Sequence, residues 1–154
     1  MVTLAGTQNN IKDLVEALLQ LEMNALEAYD ATVERLENPQ FSQQVAQFRQ
    51  DHYQHVEAMT QIARPLGIEI PEAGAKSMLT KGKVVIADMV GNDSAILTAM
   101  KTNEYETVMA YENALKKDFL TAELRSICEK GLSDERRHRD WMDQAADQDT
   151  KNAA

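Results

Sequence analysis

The chain contains a single cysteine, Cys128, so no disulfide can close within it and a reducing compartment is expected. Glycine and proline are scarce, with six and three copies. The longest aliphatic run is Val84-Val85-Ile86-Ala87, far short of the roughly 20 residues that a membrane-spanning helix needs. Met1–Thr7 has neither a basic start nor a long apolar stretch, so no signal peptide is expected. The formal net charge is −9, on a generally acidic surface. Binding to nucleic acid or to an anionic membrane is not expected, because counterion release needs clustered Lys and Arg. The cytoplasm is the location these absences favour.

What is present favours helices. Ala, Leu, Met, Gln, Glu and Lys abound, all of them good helix formers. The 44% of hydrophobic and 27% of charged residues are those of one folded domain spanning residues 1–154. Punctuation divides the chain into helices at about 8–38, 39–67, 93–117 and 121–146, with a polar tail, 147–154, expected to fray. Asn38-Pro39 separates the first two, since the residue before proline avoids helical geometry. Pro65 and Gly67 stop the second, and the third starts at Asp93 or Ser94, both good N-caps, after Gly91-Asn92. The long connection lies between helices two and three, with a short helix expected within it at Lys83–Met89. Short, long, short is the connection pattern of an all-α, antiparallel four-helix bundle with one long crossover.

Apolar residues recur every three or four positions along each helix, which marks a buried face. Helix two reads Phe41, Val45, Phe48, His52, His55, Met59, Ile62 and Leu66, and helix four reads Leu124, Cys128, Gly131, Glu135, His138, Met142 and Ala145. Helix one carries Leu18, Glu22, Ala25, Tyr29 and Val33 in the same rhythm, and helix three carries Met100, Glu104, Thr107, Tyr111 and Ala114. Ionisable residues therefore interrupt every seam near its middle. Burying an unpaired carboxylate costs several kcal/mol, so an ordinary core would not contain them. Helix midpoints come level in antiparallel neighbours, and the six side chains could converge at one depth.

An internal repeat sharpens the pattern. Glu22 and Glu104 lie 82 positions apart, as do Tyr29 and Tyr111, whereas His52 and Glu135 lie 83 apart, as do His55 and His138. Each half reads Glu-x6-Tyr on one helix and a ligand type followed by x-x-His on the next. Residues three apart share a helix face and can hold one metal together. Each Tyr shares a face with its Glu, suited to a hydrogen bond with a ligating carboxylate.

These motifs resemble the ferritin-like superfamily, in which a Glu from each of two helices and a Glu-x-x-His from each of the others hold two irons. The chain looks similar to uncharacterised bacterial ferritin-like proteins with Asp-His-x-x-His on helix two, and the likeness extends over all four helices. It implies a di-iron site drawn from Glu22, Asp51, His52, His55, Glu104, Glu135 and His138, with Tyr29 and Tyr111 hydrogen-bonded to its carboxylates. In that reading Glu135 bridges, Glu22 and Glu104 are terminal, and His55 and His138 each cap one metal. The chain departs from the pattern at His52, where the family has Glu. Either His52 ligates, or the preceding Asp51 reaches round in its place. The former gives one negative charge fewer, which would stabilise a diferric centre less well. Imidazole suits Zn²⁺ or Fe²⁺ about equally.

The resemblance implies a ferroxidase-like or peroxide-reducing oxidoreductase, with two metal ions as cofactors, Fe first and Zn or Mn as alternatives, and O₂ or peroxide as oxidant. The alternatives are a metal-free or metal-stabilised bundle acting in stress response or as an interaction protein, and hydroxylation of an organic substrate. In a metal-free bundle the buried acids would be an internal hydrogen-bond network. A homodimer is expected rather than a 24-subunit cage, because ferritin cages close with a short fifth helix and only a polar tail follows helix four here.

Overall fold

The computed structural model describes residues 4–70 and 91–153, and all of their regular structure is helical. It comprises α1 (Ile11–Arg35), α2 (Pro39–Ala63), α3 (Asp93–Leu115) and α4 (Ala122–Asn152), which form a four-helix bundle. Each helix starts where a short polar side chain accepts a backbone N–H that has no partner within the helix. Asn10, Asn38, Asn92 and Thr121 take the N–H groups of Asp13, Gln40, Ala95 and Leu124. Pro39 follows its cap at the first helical position, where a missing N–H is no loss.

The first helix is three residues shorter at each end than the expected 8–38, and two other helix ends differ more from the sequence reading. α2 stops at Ala63, because Pro65 has no N–H with which to continue the ladder. The Ile68 N–H turns back to the Ala63 carbonyl at 3.1 Å, and Gly67 adopts a φ of 71°, which glycine reaches without steric cost. α4 continues to Asn152, through residues expected to fray. Contacts with the start of α3 hold this last stretch: the Asp149 carboxylate accepts the Ser94 N–H at 3.1 Å, and Ser94 Oγ donates to the Ala146 carbonyl at 3.0 Å. The short helix expected at Lys83–Met89 lies outside the described residues. No helix among those described is long and apolar enough to cross a membrane.

The core has two apolar clusters. One gathers Leu14, Leu18, Met59, Ala63, Tyr111, Leu124 and Cys128; the other gathers Tyr29, Val45, Phe48, Leu97, Met100 and Met142. Going along the chain, α1 and α4 meet the first cluster and then the second, whereas α2 and α3 meet them in reverse. Between the clusters each helix contributes buried ionisable groups: Glu22, His52 with His55, Glu104, and Glu135 with His138. The α1–α2 corner is tied to the start of α3 by the buried Asp93 carboxylate, which accepts the N–H groups of Glu37 and Asn38 at 2.9 and 2.8 Å.

Candidate metal centre

The six ionisable seam residues converge. None is more than 4% exposed. They fall into two overlapping groups, Glu22, His52, His55 and Glu135, and His52, Glu104, Glu135 and His138. Within each group one ligand-type atom per residue can be chosen so that all lie within 4.8 Å of one another, close enough to hold a metal ion. His52 and Glu135 belong to both groups.

The tyrosines tie opposite halves together. Tyr29 Oη donates to Glu104 Oε1 at 2.5 Å, and Tyr111 Oη donates to Glu22 Oε1. Neither bonds the Glu on its own helix, for a simple reason of length. Seven residues of helix rise about 10 Å, which exceeds the reach of a phenol. Gly131 on α4 makes room for the Tyr111 ring: a Cβ there would stand 2.5 Å from its Cζ.

Asp51 lies in neither group. Its carboxylate is 2.9 Å from His138 Nε2 and accepts from Arg137 at 2.7 Å. Its counterpart Asp134, which the sequence reading missed, is 2.9 Å from His55 Nε2 and also accepts from Lys130 and Arg137. The signal was available, since Asp51 and Asp134 precede His52 and Glu135 and keep the same 83-residue separation. A carboxylate at Nε2 makes that nitrogen the donor and leaves Nδ1 for the interior. Accordingly His55 Nδ1 lies 3.2 Å from Glu22 Oε1, and His138 Nδ1 lies 3.7 Å from an oxygen each of Glu104 and Glu135. His52 is oriented differently: its Nδ1 lies 2.7 Å from Glu22 Oε2.

Burial and neighbouring charge divide the carboxylates. Burial opposes ionisation of Glu22, but the charge and hydrogen bond of His52, with help from His55, hold it well below the usual carboxylate range. Burial likewise opposes ionisation of Glu104, yet the neighbouring Glu135 carboxyl, with His138 and His52, holds it at about 2. Glu135 goes the other way, pushed well above the ordinary range by burial and then by the charges of Glu104 and Glu22. His55 rises to about 9, because hydrogen bonds and charge from Glu22 and Asp134 outweigh the burial that disfavours its cation.

The donor set fits a metal. His52 Nε2, Glu104 Oε2 and both Glu135 oxygens are buried, and no N–H or hydroxyl group reaches them. Such atoms are rare in native cores and point to an ion or another missing partner. On the α2–α4 side, a groove of about 280 Å³ lined by Gln54, His55, Ala58, Ser126, Ile127 and Lys130 reaches the edge of His55.

Fold and site together define a helical bundle with two overlapping, buried Glu/His groups able to hold metal. The family model described as domain of unknown function (DUF2383) matches residues 9–117. The chain belongs to that family. The match takes in α1, α2 and α3, and so every site residue except Asp134, Glu135 and His138. No curated protein and no solved structure matches the chain.

Proposed function

We propose that this protein is a ferritin-like, di-metal carboxylate–histidine protein that oxidises Fe²⁺ with O₂ or peroxide. The observation that carries the reading is the cluster of four buried, unpartnered atoms on His52, Glu104 and Glu135, in the polar layer between two apolar clusters. The reversed order in which α1 with α4 and α2 with α3 meet those clusters supports an antiparallel, ferritin-like bundle.

Glu135 would be shared between two ions, Glu22 and Glu104 would hold one each, and His55 and His138 would each serve one. Two ferrous ions bound there would supply the two electrons that take O₂ to hydrogen peroxide, or peroxide to water. The chain's own part is to prepare the donors. Asp134 and Asp51 fix the rings of His55 and His138, while Tyr111 and Tyr29 fix the carboxylates of Glu22 and Glu104. The apolar clusters on either side exclude water, which strengthens every charge interaction inside.

A second reading, a metal-free or metal-stabilised bundle acting in stress response or as an interaction protein, is favoured by one feature: the imidazole of His52 stands where the ferritin-like pattern has a carboxylate. Elemental analysis of protein purified without chelators decides between them, alongside the double variant Glu135→Ala with His138→Ala. About two metals per chain, lost in the variant, is the expected result, with Fe²⁺-dependent O₂ uptake lost in parallel. No metal in the wild type, even after anaerobic Fe²⁺ loading, would sink the metal reading.

A further inference from the structure

Among the candidate ligands and the Asp and Tyr that support them, the repeat matches residue for residue except at one pair: His52 stands where the other half has Glu135. Glu135 offers two equivalent oxygens, both unpartnered, and can serve both groups at once. His52 offers two nitrogens in different circumstances. Nδ1 is engaged with Glu22 Oε2 at 2.7 Å, a short charge-assisted hydrogen bond in which the imidazole donates. Nε2 is buried and without a partner, which leaves it as the nitrogen able to ligate a metal.

We infer, resting on the metal-binding reading above, that His52 acts through Nε2 alone and makes the two metal positions unequal. The position between Glu104, Glu135 and His138 then has four protein donors, two of them imidazoles. The position between Glu22, His55 and Glu135 keeps three, with Glu22 already accepting from Tyr111 and His52. Imidazole-rich sites favour Zn²⁺, Co²⁺ or Fe²⁺, whereas sites dominated by carboxylate and water suit Mn²⁺. The first position therefore fills first, with an imidazole-seeking divalent cation. The second fills later and accepts a harder ion, so the centre can hold two different metals.

Two substitutions separate the nitrogens. His52→Asn places an amide N–H near the Nδ1 position, preserving the donor to Glu22 while deleting Nε2. His52→Gln places its amide near Nε2 and abandons Glu22. Metal-free protein is titrated with Co²⁺ and followed by visible absorption and by calorimetry, which read coordination and affinity without any turnover. Wild type is expected to bind two Co²⁺ in separate steps, the first with the intense bands of low coordination number. In His52→Asn the tight step weakens by more than about tenfold, since even a supporting partner of a metal ligand is worth that much. The weak step persists, and its persistence shows that the variant is folded. After one equivalent of Zn²⁺, added Mn²⁺ gives the resonance signal of a single bound ion.

Two equal steps in wild type, or an unchanged tight step in His52→Asn, would overturn the inequality and leave the metal centre standing. If His52→Gln loses the tight step and His52→Asn keeps it, Nδ1 is the ligating atom and the assignment to Nε2 falls. Absence of any Co²⁺ binding would remove the metal centre itself.

Discussion

Replacing Glu135 by Gln separates the two uses to which buried acids and imidazoles can be put. In a structural hydrogen-bond network every member contributes to stability, and loss of a charge-assisted bond is felt. At a metal site the ligands are held in wait for a cation, and the metal-free protein bears the strain. Glu135 has both oxygens buried and unpartnered, and Glu104 Oε2 beside it is unpartnered as well. A buried polar group left without a partner costs about 1–3 kcal/mol, and more if charged. Gln has nearly the same shape, no charge, and an amide that can donate to Glu104 Oε2. Metal-free Glu135→Gln is therefore expected to be more stable than wild type by about 1–3 kcal/mol. At about 2–4 °C per kcal/mol for a chain of this size, the midpoint of thermal unfolding rises by about 2–12 °C.

Metal should reverse the order. An ion present at 100 times its dissociation constant adds about 2.7 kcal/mol to a protein that binds it, and Glu135→Gln gains little. The sign with pH follows from Glu135 itself. Its folded value lies above the ordinary 4.5, so its contribution is fully present below that pH and is lost as pH rises toward the folded value. The variant has no such loss, so its advantage in metal-free buffer widens as pH rises above the ordinary 4.5 toward the folded value. The assay is urea and thermal unfolding of chelator-treated protein, repeated with Zn²⁺ or anaerobic Fe²⁺. A metal-free variant weaker than wild type by more than about 1 kcal/mol would refute the reasoning and make Glu135 part of a structural network.

Gly131→Ala should lose stability by about 1–2 kcal/mol, because crowding the Tyr111 ring outweighs the helix propensity gained, and metal affinity on the Glu22 side should fall with it. Thermal unfolding and a metal titration check both. Burial pushes the Cys128 thiol up to about 12, so folded protein should resist an aromatic disulfide reagent at about pH 8 and release its thiol only on unfolding; rapid reaction of native protein would contradict this. Asp93→Ala removes the acceptor for two backbone N–H groups and should cost about 1.5–3 kcal/mol in urea unfolding. Ser126→Trp fills the groove beside His55, and stopped-flow loading should slow several-fold with final stoichiometry unchanged. An unchanged loading rate would exclude the groove as the route in.

The helices were legible because their boundaries are written in local chemistry. Pro39 and Pro65 mark a start and a stop, and polar caps mark the starts, although the third cap falls on Asn92 rather than on the expected Asp93 or Ser94. The extension of α4 to Asn152 was not legible, since it depends on Asp149 and Ala146 meeting Ser94, more than fifty residues away. Local polarity predicts fraying, and a tertiary contact prevents it.

The site shows the same division. Three-residue and seven-residue spacings state which side chains share a face of one helix, and on that basis Glu22, His52, His55, Glu104, Glu135 and His138 were named and are found together. Spacing cannot state which neighbour a side chain meets across the bundle. Tyr29 and Tyr111 share faces with Glu22 and Glu104, yet each bonds the carboxylate of the other half, because only a crossing helix brings an oxygen level with the phenol. Asp51 fell on the same divide: its position beside His52 made it a candidate ligand, while its carboxylate meets His138 on α4. The repeat held the missing clue, since Asp134 occupies the matching place and meets His55. Paired positions with the same residue therefore mark what the two halves share, Glu with Glu and His with His at the centre, Asp with Asp and Tyr with Tyr in support. The pair that differs, His52 against Glu135, marks where the two halves of the centre cease to be equivalent.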